Sequence, residues 1–148
     1  MVLLFVYGSL MNASSRYETL GRVVKARCAG LKPIARYSIG WWFRSLPHGM
    51  TCLGARQLPT DAPPASAPCP GMLLWLRPGD LPSLDVREAG YQRVCIPTEW
   101  VVPDNPAPLP AEAPLYVYTI RHLQPPTPLF PITPRYLRLC SQREETNE

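Results

Sequence analysis

The sequence predicts an α+β domain: a small mixed β-barrel with a few short helices at its periphery. Three observations carry that expectation. The chain has 148 residues, the size of one domain with a real core. Six or seven segments rich in β-branched and aromatic residues are joined mainly by loops, which argues against the strand–helix alternation of a doubly wound sheet. The 20 prolines are unevenly placed, with five in each of the stretches 59–70, 103–114 and 125–134. Proline cannot donate a ladder hydrogen bond, so these stretches read as loops. Together with 9 glycines the prolines stay below the roughly 25–30% at which composition alone signals disorder, and they exclude a long helical bundle, a coiled coil or a collagen repeat.

The elements follow in order. Val2–Tyr7 (VLLFVY) is a continuous apolar run and reads as a buried strand, broken by Gly8-Ser9. Residues 12–20 hold one short helix, with Asn12 or Ser14 as cap. Segments 22–29, 34–44 and 51–58 have strand character, and Gly71–Leu76 (GMLLWL) is a second buried strand. Residues 80–88 form a short helix, with Asp80 as cap, Pro82 in the first turn, Leu84 facing the core and Gly90 as the stop. Residues 91–102 alternate as one strand and Leu115–Ile120 (LYVYTI) is another. Thr133 caps a last helix over 133–143, with Pro134 at its first position. The folded unit spans residues 1–140, and 141–148 read as a polar, fraying tail.

Charge and cysteine usage narrow the function classes. The net charge is +4, with two lysines (Lys25, Lys32) and thirteen arginines spread along the chain without a run. Nucleic-acid binders concentrate basic charge on one face or in a tail, so no nucleic-acid partner is expected. The five cysteines are odd in number, stand at no metal-ligand spacing, and are joined by only two distant histidines, His48 and His122. Reduced thiols in a reducing compartment and no metal are the expectation. The first apolar run is too short to span a membrane and lacks the flanks of a signal peptide, so a soluble cytoplasmic protein with no membrane partner is expected.

Three places can carry chemistry. The junction Tyr7-Gly8-Ser9-Leu10 ends a buried strand at a glycine. It reads either as a plain strand-ending turn or as a nest of N–H groups for a carboxylate, phosphate or oxyanion. Glu88 lies four residues after Leu84, on the same helix face. It is either a surface glutamate paired with Arg87 or Arg93, or an inward carboxylate with a raised pKa, usable as a base. Tyr116 and Tyr118 share one strand face, as core aromatics or as donors to a cavity. Ser9 lies outside a GxSxG context and no cysteine has a nucleophile motif.

Taken together, these segments resemble the gamma-glutamylcyclotransferase-like family. The apolar strand leading into Tyr-Gly-Ser-Leu, the strand Gly71–Leu76, the helix Asp80–Glu88 running into Tyr91-Gln92-Arg93-Val94, the tyrosine strand 115–120 and Pro-Ile-Thr-Pro-Arg-Tyr-Leu (131–137) occur in the family's order over nearly the whole chain. The resemblance implies a small mixed β-barrel and no cofactor. It implies a small-molecule gamma-glutamyl substrate whose own α-amine attacks its side-chain carbonyl. The products would be 5-oxoproline and a free amine or amino acid. It further implies Glu88 as the general acid/base, the Tyr7, Gly8, Ser9 and Leu10 backbone as the glutamyl-binding loop, and Tyr118 as a pocket residue. A tethered nucleophile needs orientation and proton transfer rather than a covalent intermediate. The alternative is a non-catalytic small-molecule-binding or interaction domain on the same scaffold. Monomer and homodimer both remain open.

Overall fold

The structure, a computed structural model, describes residues 1–147. Its strands are β1 (Val2–Val6), β2 (Ala26–Leu31), β3 (Tyr37–Ser45), β4 (Met50–Gln57), β5 (Cys69–Leu76), β6 (Gln92–Ile96), β7 (Val101–Pro103) and β8 (Leu115–Thr119). The helices are α1 (Ala13–Leu20), α2 (Leu81–Arg87) and α3 (Pro134–Leu139). Six strands form one sheet in the order β6-β8-β1-β5-β2-β7, and β3 and β4 form a separate hairpin. Within the large sheet β1 and β8 run parallel and every other pairing is antiparallel.

The α+β class holds, and the sheet curls without closing into a barrel. Its two edge strands, β6 and β7, are joined by only the residues between Ile96 and Val101. Five Cα steps reach at most about 18 Å, whereas five strand spacings across a flat sheet need about 24 Å. The sheet must therefore bend to bring its edges near each other. Pro97 and the turn Thr98–Trp100 interrupt the strand expected over 91–102. β6 stays on β8 while β7 crosses to β2, and no ladder joins the two among the described residues.

The continuous apolar runs are explained by burial on both faces. Leu3 and Phe5 of β1 and Tyr7 just after it, with Leu73, Trp75, Leu115 and Val117, face one core, which Tyr37 and Ala55 of the hairpin complete. Leu4 and Val6, with Met72 and Leu74, face a second core closed by Leu10, Met11 and Leu84. Tyr7 joins the layers: its hydroxyl donates to the Tyr118 carbonyl at 2.7 Å and accepts from the Ala55 N–H at 3.1 Å.

The helix caps follow the residue chemistry with one exception. Asn12 Oδ1 accepts from the Ser15 N–H at 2.9 Å, and Thr133 Oγ1 accepts from the Tyr136 N–H at 3.3 Å. Asp80 precedes α2 but makes no side-chain bond to it. Its carboxylate accepts from the Arg77 N–H at 2.8 Å and pairs with Arg22 instead.

The C-terminal segment corrects the expectation of fraying. α3 ends at Leu139, short of the expected Arg143. Thr146 then forms a two-way bridge with Ala26, at 2.9 and 3.2 Å. Glu144 accepts from the Ala13 N–H at 2.7 Å, and Glu145 accepts from the Cys28 N–H at 2.8 Å. Arg16 supplies the reason. It is only 2% exposed, and its guanidinium needs acceptors. It donates to the carbonyls of Leu10 (3.1 Å), Met11 (2.9 Å) and Glu144 (2.5 Å) and to the Thr146 hydroxyl (3.2 Å). The tail is thereby pinned against the turn that follows β1.

Candidate active site

β1, α2 and β8 place the sequence-predicted residues around one pocket. Tyr7, Gly8, Ser9 and Leu10 line it, with Glu88 and Tyr118 and with Phe5, Val6, Leu53, Tyr91 and Tyr136. It contains about 360 Å³ of empty space, part of it open to solvent. The enclosed part of the cleft is far smaller than that, so it suits the end of a small molecule better than a whole peptide.

The loop after β1 turns into a short 3-10 turn, Ser9–Met11. The N–H groups that open a helical turn have no acceptor within it. Among the described residues no protein acceptor takes the Gly8, Ser9 or Leu10 N–H. These three N–H groups are therefore without a protein partner in residues that line the pocket. Gly8 has φ −113°, so the left-handed freedom of glycine is not what this position uses. A Cβ there would stand 3.1 Å from the Tyr136 hydroxyl, so close approach is the constraint.

Glu88 follows α2 directly, its N–H bonded to the Leu84 carbonyl at 2.8 Å. The fully buried Leu84 anchors that turn and brings Glu88 to the pocket. Gly90 (φ 99°) then reverses the chain, where a side chain would be strained and would strike the Phe43 ring. The Glu88 side chain is 17% exposed and lies 3.5 Å from Arg87 Nε. Burial pushes its pKa above the ordinary carboxylate range, and the Arg87 charge and hydrogen bond pull partly against that. Glu88 is thus a largely buried carboxylate with Arg87 beside it. Arg93, the other partner considered, goes to Asp85 at 2.9 Å.

Two tyrosine hydroxyls are committed elsewhere. The Tyr118 hydroxyl donates to Asp85 Oδ1 at 2.7 Å, and the Tyr7 hydroxyl bridges β8 and β4. Both residues therefore offer the pocket their rings. Tyr116 lies outside the pocket, with Arg93 over its ring.

Three further wall residues were not singled out by the sequence. Tyr91 stacks on Phe43 (centroids 3.9 Å apart) and donates to the Leu53 carbonyl at 2.6 Å. Tyr136 packs edge-on against Trp41, and its hydroxyl lies against the thiols of Cys52 and Cys140. Leu53 comes from the hairpin. The signal for Tyr91 was its place after Gly90, and for Tyr136 its place one turn after the Thr133 cap; neither marks a pocket without the tertiary fold. Burial raises both thiols to about 11, so they stay protonated and poorly nucleophilic near neutral pH. Among the described residues no three His, Cys, Asp or Glu side chains gather as a metal-ligand set, and no helix is long and apolar enough to cross a membrane.

The curled α+β sheet thus carries a small cleft lined by one carboxylate and by three residues whose N–H groups have no protein acceptor among the described residues. The family model "Gamma-glutamyl cyclotransferase, AIG2-like" matches residues 4–131, and the chain belongs to that family. The fold is similar to a solved gamma-glutamyl cyclotransferase (TM-score 0.66, 16% identity, covering 94% of this chain and 75% of that one). It is also similar to an uncharacterised human protein (0.63, 15%, 94% and 75%). A third solved relative is a yeast gamma-glutamyl cyclotransferase specific to glutathione (0.55, 14%, 85% and 73%). At these identities the likeness is one of fold. Among curated proteins nothing matches the sequence.

Proposed function

We propose that this protein is a gamma-glutamyl cyclotransferase acting on a gamma-glutamyl amine, amino acid or peptide. One observation carries the reading: Glu88, largely buried and with a raised pKa, lines the same pocket as the unpaired N–H groups of Gly8, Ser9 and Leu10. A gamma-glutamyl group presents a carboxylate and an ammonium on one carbon. The carboxylate suits the N–H groups and the ammonium suits Glu88.

The chemistry then follows as proton transfers around one ring closure. The Glu88 carboxylate takes a proton from the α-ammonium, and the freed amine nitrogen attacks the γ-carbonyl carbon, forming the ring C–N bond. Glu88 returns a proton to the leaving nitrogen as the old C–N bond breaks, and the remaining extra proton of the ring nitrogen passes through solvent to the released amine, which leaves as its ammonium. The products are 5-oxoproline and the released amine, and the enzyme ends in the protonation state in which it began. Tethering supplies much of the rate by holding nucleophile and carbonyl together. The raised pKa lets one group serve as base and then as acid. The pocket holds the glutamyl end, and the leaving group projects toward solvent past its open side.

The test is 5-oxoproline release from a panel of gamma-glutamyl amines, amino acids and peptides, each paired with its Nα-acetyl derivative. Release from at least one free-amine member and from no acetylated one is expected. Inactivity across the panel, with saturable binding of the same compounds, would identify a binding domain instead.

A further inference from the structure

Arg87 ends α2 in an exposed turn, yet its guanidinium is committed on three sides. Nη2 donates to the Ser9 hydroxyl at 2.6 Å, Nη1 donates to the Thr19 hydroxyl at 3.3 Å, and Nε lies 3.5 Å from Glu88 Oε1. Thr19 is itself tied to α1 through the Ser15 carbonyl at 3.1 Å. Ser9 and Glu88 line the pocket from opposite elements, and Arg87 is the bracket between them. A hydroxyl has one proton to give. With Ser9 Oγ accepting from Arg87, and no protein acceptor for its proton among the described residues, that proton is free to point at a bound anion.

We propose that Arg87 is a positioning residue of this site, which orients the Ser9 hydroxyl as a donor to the substrate's carboxylate and holds the Glu88 carboxylate in register with it. The inference rests on the cyclotransferase reading. The other titratable groups near Glu88 are Tyr7 just after β1, Cys52 of β4, Tyr118 of β8, Tyr91, and Tyr136 of α3. Burial raises all five, so each is neutral near pH 7 and Arg87 sets the local charge on Glu88. A lysine would keep a point charge but could not reproduce three directed contacts from one planar group.

The experiment measures binding of 5-oxoproline and of 2-pyrrolidinone, which lacks the carboxylate, by calorimetry, together with kcat and KM against pH. Ser9→Ala and Arg87→Met should each weaken 5-oxoproline binding and raise KM by about tenfold, the weight of one charge-assisted hydrogen bond. The double variant should lose no more than either single one, and 2-pyrrolidinone binding should not change. Arg87→Met should also move the acid limb of kcat/KM upward. Ser9→Ala should leave that limb in place, and Arg87→Lys should restore it without restoring KM. Thr19→Val, which loosens only the anchor, should raise KM in the same direction and carries the test if Arg87→Met does not fold. Multiplying losses in the double variant, or an unmoved acid limb with unchanged affinity, would overturn the proposal and leave the cyclotransferase reading intact. A wild type that binds 5-oxoproline in a Ser9- and Arg87-dependent way but turns nothing over would overturn the cyclotransferase reading alone. A wild type that does neither overturns both.

Discussion

Glu88 carries opposing demands at the scale of a single side chain. Burial raises its pKa, so the folded protein holds its proton more tightly than the unfolded chain does. Between the ordinary carboxylate pKa and the raised one, the native state binds more protons, and stability falls as pH rises through that window. Glu88→Gln removes the penalty. The variant should show a higher urea midpoint than wild type near pH 7, and the difference should vanish below the ordinary carboxylate range. The reverse sign, a loss of stability at pH 7, would mean that the Arg87 contact outweighs burial. Asp85 has the opposite linkage: its hydrogen bonds to Arg93 and Tyr118 depress its pKa. Its contribution is present above the unfolded pKa and fades as pH falls through the folded one, and it is small because the pair is solvated.

Among the elements, the C-terminal segment and the turn after β1 behave as one unit because Arg16 joins them. Arg16→Met leaves the carbonyls of Leu10, Met11 and Glu144 without their buried donor, at a cost of about 2–4 kcal/mol. It should also loosen the turn after β1, read as faster amide exchange at Met11 and Asn12, whose N–H groups bond the Gly8 and Ser9 carbonyls. Glu144→Ala keeps the backbone acceptor of Arg16 but removes the contact to the Ala13 N–H and a negative charge near the buried guanidinium, and should cost about 0.5–1.5 kcal/mol. Local chemistry was readable at this scale. The Asn12 and Thr133 caps, the apolar runs of β1 and β5, and the Leu84–Glu88 face all depend on residues a few positions apart. The docked tail was not readable, because Arg16 meets Glu144 and Thr146 across about 130 residues. A polar terminal stretch looks the same in sequence whether or not a buried guanidinium awaits it. Sequence proximity offers Arg87 or Arg93 as a partner of Glu88, but the contact of Arg87 with Ser9, 78 residues away, is invisible for the same reason.

At the level of the whole molecule, the pocket exists because two layers meet over β1. Tyr7 is the hinge pin of that meeting, bonded to β8 on one side and to β4 on the other. Tyr7→Phe keeps the ring and strands two buried backbone groups, the Tyr118 carbonyl and the Ala55 N–H. It should cost about 1–3 kcal/mol and shift chemical denaturation without changing its slope. The α+β class followed from strand-rich segments separated by proline-laced loops. The open edge did not follow, because it depends on Pro97 sending β6 and β7 to opposite sides of the sheet. The same architecture makes Glu88 the one acid among the pocket-lining residues.

The most direct measurement of that claim is 5-oxoproline release by Glu88→Gln beside wild type on the panel's best substrate, with 5-oxoproline affinity measured for both. The variant should fold, bind 5-oxoproline within a few-fold of wild type, and lose turnover by about 100-fold or more, as expected when a general acid/base is removed. Full turnover by a folded Glu88→Gln would contradict the assignment of Glu88 as the proton carrier.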